Sequence, residues 1–81
     1  MKEVSNKLFE KIVELPQKRY FTILDLINEI EPNNNYRSDN LFDIFVNVMN
    51  MCFSNNIKLN FKEDAEVNEP YKLEFTIIKS K

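Results

Sequence analysis

The 81-residue chain has no glycine, no histidine and only one cysteine. Without histidine, the commonest general base and the commonest metal ligand are both missing. Without glycine, the phosphate-cradling loops of P-loop and dinucleotide-binding proteins cannot be built. Positive-φ positions must fall to asparagine, the next most tolerant residue. Asn33-Asn34-Asn35 and Asn55-Asn56 stand where turns are expected. The lone Cys52 excludes an intramolecular disulfide, which fits a reducing compartment. The opening residues lack the apolar stretch of a secretory signal, and no apolar run approaches the roughly 18 residues of a membrane span. These absences predict a cytoplasmic protein with no membrane association, no metal, no cofactor and no enzymatic activity.

What is present argues for an ordinary folded domain. A chain this short buries only about 60% of the surface it exposes when unfolded. It nevertheless contains 43% hydrophobic residues, including seven Phe, and each buried aromatic removes about 150–250 Å² from water. A formal net charge of −2 gives no general attraction to phosphate backbones or anionic lipid. No internal repeat or linker interrupts the chain, so residues 1–81 read as a single domain.

Val4, Leu8, Ile12 and Leu15, with Phe9 and Val13 beside them, predict a helix over residues 2–15 that Pro16 ends. Residues 17–21 read as a short extended piece. Thr22 and Asp25 have capping-box spacing, and Phe21 and Leu26 stand where a hydrophobic staple would place them. They open a second helix that buries Ile23, Leu24, Leu26, Ile27 and Ile30 and closes near Pro32. Ser38 or Asp39 is placed to cap a third helix reaching about Ser54. Its polar residues, Asn40, Asp43, Asn47, Asn50 and Ser54, form one narrow stripe, and the rest from Leu41 to Phe53 is apolar. Such a helix should be central and touched on several sides. Two alternating segments follow, Ile57 to Lys62 and Tyr71 to Lys79, separated by a loop carrying Glu63, Asp64, Glu66 and Glu69 and no basic residue. The predicted class is α+β, three helices followed by a C-terminal β-hairpin.

This order of elements resembles the winged helix-turn-helix domains, most clearly over Arg19-Tyr20-Phe21-Thr22-Ile23-Leu24-Asp25-Leu26. In that family an extended residue or two precedes a Thr- or Ser-capped second helix, and a hairpin wing follows the third. The resemblance covers almost the whole chain as a layout and implies duplex DNA binding, with the third helix in the major groove. The chain departs from it at both contact surfaces. The exposed stripe of the third helix offers Asn40, Asp43, Asn47 and Asn50 but no Arg or Lys, and the wing carries four carboxylates. Phosphate neutralisation supplies nearly all non-specific affinity for DNA, and here the sign is wrong. The connection between the second and third helices is also long for a helix-turn-helix.

Two functions therefore follow from the residues. The first is a non-enzymatic regulatory module that binds a protein partner through Glu63, Asp64, Glu66 and Glu69 and neighbouring apolar surface, since opposite charge speeds encounter with a basic surface. Its specific form is a mobile-element-encoded inhibitor of a nucleic-acid-handling protein. The second is a dimeric DNA-binding transcriptional regulator contacting DNA through Lys18, Arg19, Arg37, Asn40, Asn47, Lys58 and Lys62. The wide apolar arc of the third helix is core if the small domain can cover it; otherwise it is a patch for a partner or for a second copy in a homodimer. Cys52 reads as a buried, inert thiol and Met49 and Met51 as core filler.

Overall fold

In the computed structural model, which describes residues 2–79, Val4, Leu8 and Ile12 recur every four residues and are buried along one side of helix α1 (Lys2–Glu14). Pro16 disfavours the α region at Leu15, so the helix stops there, although Leu15 still packs into the core. In the turn that follows, Lys18 adopts φ 70°. This left-handed geometry costs a residue with a β-carbon about 1–2 kcal/mol, and it falls on lysine where asparagine was expected.

The chain then extends as β1 (Phe21–Thr22) and enters α2 (Ile23–Ile30). Thr22 is the N-cap: its Oγ1 accepts the Asp25 backbone N–H at 3.0 Å. Among the described residues the reciprocal bond from Asp25 is not made, because its side chain is one methylene shorter than that of Glu. Thr22→Ala should cost about 1 kcal/mol and lower the thermal midpoint by about 4–8 °C, as circular dichroism melting would show.

The turn over residues 31–37 uses asparagine side chains, with no positive φ. The Asn34 amide donates to the Asn28 Oδ1 at 3.0 Å and the Glu31 carbonyl at 2.6 Å, and its own Oδ1 accepts the Tyr36 N–H at 3.1 Å. Helix α3 (Ser38–Ser54) begins one residue earlier than the sequence suggested. Arg37 is the N-cap, and its backbone N–H donates to the Asn40 Oδ1 at 3.1 Å. Ser38 and Asp39 thus occupy the first helical positions and do not cap. At the other end Asn55 closes the helix and Asn56 takes φ 59°, the αL residue that ends many helices.

The expected plain hairpin is a three-stranded antiparallel sheet in the order β1-β3-β2, with β2 at Ile57–Phe61 and β3 at Glu74–Lys79. β3 is central because the short β1 pairs with it, Phe21 opposite Phe75, while β2 covers its other side, Phe61 opposite Phe75 and Leu59 opposite Ile77. The last strand starts at Glu74 and not at Tyr71. Pro70, fixed in φ, opens a 3-10 turn (Pro70–Lys72) that still delivers Tyr71 into the core. Phe21, Phe75 and Phe61 form a row across the sheet, with ring centroids 6.4 and 5.5 Å apart. The buried side chains form one cluster, fed by all three helices and the sheet. Lys11 and Glu29 pair at 3.3 Å between α1 and α2, an exposed contact worth under about 1 kcal/mol.

Candidate functional site: an uncovered apolar face on α3 and β2

Helix α3 buries Leu41, Ile44, Val48 and Cys52 against the rest of the domain. Turned about 100° from that line runs a second apolar stripe, Phe42, Val46, Met49 and Phe53, at spacings of four, three and four residues. Among the described residues it is only partly covered: Met49 packs against the core, while the other three stand open. Phe42 is 50% exposed, Val46 41% and Phe53 86%. Helix α3 is touched by α1, by β2 and by the 3-10 turn, as expected, and of the two outcomes open for its wide apolar arc the second holds, since this flank stays open among the described residues. The two halves of α3 are distinguishable in sequence only by separating two helical stripes one hundred degrees apart.

The stripe leads into an open groove of about 600 Å³ between the last turns of α3 and β2. Met49 and Phe53 form one wall, Ile57, Leu59 and Phe61 the other, and Cys52 lies at its base. The alternation along β2 turns Ile57, Leu59 and Phe61 toward the helices and Lys58 and Asn60 to solvent. The aromatic row of the sheet continues onto α3: Phe61 meets Phe45 at 5.9 Å and Phe45 meets Phe42 at 6.4 Å. An unbroken series of rings thus runs from the buried sheet centre at Phe75 to the half-exposed Phe42.

Cys52 is 2% exposed, and burial pushes its thiol up to about 11. The thiolate is the nucleophile, so alkylation at pH 7.5 should be at least ~100-fold slower in the native protein than in denaturant, given an ordinary cysteine value of about 8.5. Mass spectrometry after timed iodoacetamide exposure would show it.

The carboxylates proposed for a protein contact are not equivalent. Glu63, Asp64 and Glu66 are exposed on the β2–β3 connection, where the Asp64 Oδ1 accepts the Glu66 N–H at 3.0 Å and fixes a local turn. Glu69 is tied into the fold. Its carboxylate accepts from the Tyr71 hydroxyl, from Ser38 Oγ at 3.3 Å and from Lys72 Nζ at 2.6 Å, which pins the 3-10 turn to the start of α3. The Lys72 and Tyr71 hydrogen bonds hold the Glu69 carboxyl below the usual carboxylate range. Burial, then the Glu69 contact, pushes the Tyr71 phenol up; the bond to Glu69 raises Lys72.

These shifts set a pH dependence. The Glu69 contribution is present above its unfolded value of about 4.3 and is lost as pH falls through the lower folded value. The Tyr71 and Lys72 contributions are complete below their unfolded values of about 10 and 10.4 and are lost as pH rises through the higher folded ones. Glu69→Gln should flatten the acid limb of a melting-temperature profile and weaken the alkaline limb, where burial of Tyr71 persists.

The residues of the DNA-binding alternative are distributed differently. Arg19 lies over the Phe21 ring at 5.9 Å and Lys62 over the Tyr20 ring at 5.5 Å, which gathers these two cations beside adjacent residues, with Lys18 one position before Arg19. Arg37 caps the start of α3, whereas Lys58 lines the groove beside its last turn. The 17 residues of that helix separate its ends by roughly 25 Å. Asn40 is occupied in the cap of α3, and Asn47 is half-buried beside the opening turn of α1, in a shallow cleft with Ser5 and Asn6. Among the described residues no continuous basic ridge follows α3. Among the described residues, no group of three or more His, Cys, Asp or Glu is placed to hold a metal ion, and no helix is long and apolar enough to cross a membrane. Comparison of the chain with known protein families, curated proteins and solved structures finds no significant match.

Proposed function

We propose that this chain is a non-enzymatic protein-interaction module built on a winged-helix-like scaffold, and that it works as a regulator by binding polypeptide and not nucleic acid. The scaffold reading is supported by the element order α1-β1-α2-α3-β2-β3 with β3 between the other two strands. The observation that carries the function is the exposed Phe42, Val46 and Phe53 on one flank of α3, continuous through the half-buried Met49 with the groove against β2. Apolar surface of this kind on a folded domain marks a binding site, and aromatic and Met side chains are the types enriched at protein interfaces. A duplex approaching the exposed side of α3 would meet the polar stripe of Asn40, Asp43, Asn47 and Asn50 or the apolar one beside it, and neither carries a cation to neutralise phosphate. The exposed Glu63, Asp64 and Glu66, on the loop that follows β2, favour a partner with basic character. Inhibition of a nucleic-acid-handling protein, whose own surface is basic, is the specific form consistent with that charge.

The test is a titration against mixed-sequence duplex DNA at low ionic strength, beside a photo-cross-linking residue placed at Phe53. The reading expects no salt-sensitive DNA complex and a discrete protein adduct at position 53, suppressed by Phe42→Glu. Tight duplex binding that weakens steeply with salt, and is lost on neutralising Arg37 and Lys62, would establish the DNA-binding regulator in its place.

A further inference from the structure

We infer that the occupant of the α3–β2 face is a second copy of this chain, joined edge to edge through β2 to form a continuous six-stranded sheet with the two α3 stripes packed together above the junction. This rests on the reading of that face as a polypeptide-binding surface and assigns its apolar stripe and groove to self-association, which leaves the exposed Glu63, Asp64 and Glu66 for the basic partner.

The first argument is the direction of the β2 backbone. The Lys62 N–H donates to the carbonyl of Glu74 at 2.8 Å, and these two residues stand directly opposite in the register that pairs Phe61 with Phe75. Lys62 and Glu74 are therefore a hydrogen-bonded pair, and in an antiparallel ladder such pairs alternate. Asn60 and Lys58 consequently also bond to β3. The N–H and C=O groups of Ile57, Leu59 and Phe61 point the other way, to the open edge of the sheet, where no further strand pairs among the described residues. Open edges are templates for another strand, and proteins usually guard them. Here the three residues whose backbone groups face the open edge are apolar, and Lys58 and Lys62 are the only cations within or directly after the strand.

The second argument is self-complementarity. Two copies of Ile57-Lys58-Leu59-Asn60-Phe61 run antiparallel about Leu59 with Ile57 opposite Phe61 of the other copy and Leu59 opposite itself. All three outward-pointing residues then meet as hydrogen-bonded pairs. Lys58 falls opposite Asn60 of the other copy, so no like charges oppose each other. A two-fold axis normal to the sheet keeps Ile57, Leu59 and Phe61 of both copies on the helix side, where they enter the groove beside Met49 and Phe53.

The third argument is area. Phe42 and Phe53, at their exposures of 50% and 86%, offer roughly 200–350 Å² per copy. A stable interface needs about 800 Å² per partner. The α3 stripe is too small alone, so an interface that uses it must also take in the groove and the β2 edge. A symmetric pair does this with one surface used twice.

The register gives a sharp test. Opposed positions that are not hydrogen-bonded lie about 4.5 Å apart between Cα atoms, within the range a disulfide spans. Lys58→Cys/Asn60→Cys should therefore oxidise to a covalent dimer under mild conditions, while buried Cys52 stays silent. Lys58→Cys alone should not, because each introduced thiol sits two residues from its copy, beyond the roughly 7 Å limit. Light scattering on the unaltered protein should report twice 9.7 kDa at about 100 μM, above the micromolar range in which standard interfaces hold, and Phe53→Glu should return the monomer with unchanged circular dichroism. A monomeric unaltered protein overturns the self-pairing and leaves the Phe53 adduct experiment to judge the interaction surface separately. A dimer in which the double-cysteine variant fails to cross-link, or one that survives Phe53→Glu, overturns the proposed geometry.

Discussion

Phe75→Ala should cost about 3–5 kcal/mol of folding stability, the range for truncating a buried aromatic. The Phe75 ring is fully buried on the central strand and lies between Phe21 on one neighbour and Phe61 on the other. Removing it withdraws the shared wall of both contacts, and the neighbouring strands, each held in register by its pairing with β3, cannot close the gap. A domain of this length has in total about 4–12 kcal/mol of stability. The variant should therefore melt roughly 12–40 °C lower or fail to fold, as urea and thermal denaturation would record. A loss below about 1 kcal/mol would mean that β3 is not the centre of the sheet.

Phe53→Glu, a change to the same residue type, should have the opposite profile. Phe53 is 86% exposed, and substitutions of that kind shift stability by no more than about 0.5 kcal/mol. Association through the α3–β2 face should nevertheless weaken by ~30-fold or more, the loss that corresponds to a hot-spot aromatic of about 2 kcal/mol. Phe42→Glu should weaken association less cleanly, because its ring also rests on Phe45 and stability will fall with it. Measuring both melting and self-association on the same samples separates the two effects. If Phe53→Glu leaves association intact, the exposed ring has no part in the interface.

The helices were largely legible because their signals are local. Pro16 and Pro32 stop α1 and α2, Thr22 caps α2, and the apolar spacing in each identifies the side that is buried. The sheet was only half legible. Alternation reveals β2, but β1 is two residues long and exists because β3 pairs with it, a non-local condition that no pattern in Phe21-Thr22 encodes. Pro70 marked a turn, yet the burial of Tyr71 depends on Glu69 and Ser38, which are 31 residues apart. Asn40 reads as an exposed polar residue, and its role in capping α3 follows from the backbone direction at Arg37. The candidate site was in view as a wide apolar arc. What could not be read was which part of that arc the domain leaves open, because this is a matter of how far two short helices and three strands can reach around a third helix. The sequence also directs attention to the acidic loop, where charge is conspicuous, and away from Phe42 and Phe53, which look like core.

Backbone amide hydrogen exchange along β2, followed as protein concentration rises, tests the central claim most directly. The N–H groups of Lys58, Asn60 and Lys62 are bonded to β3 and should be protected at every concentration. Those of Ile57, Leu59 and Phe61 face the open edge; they should exchange freely in dilute protein, become protected as the face is occupied, and lose that protection again in Phe53→Glu. Free exchange at Ile57, Leu59 and Phe61 at all concentrations would contradict the account.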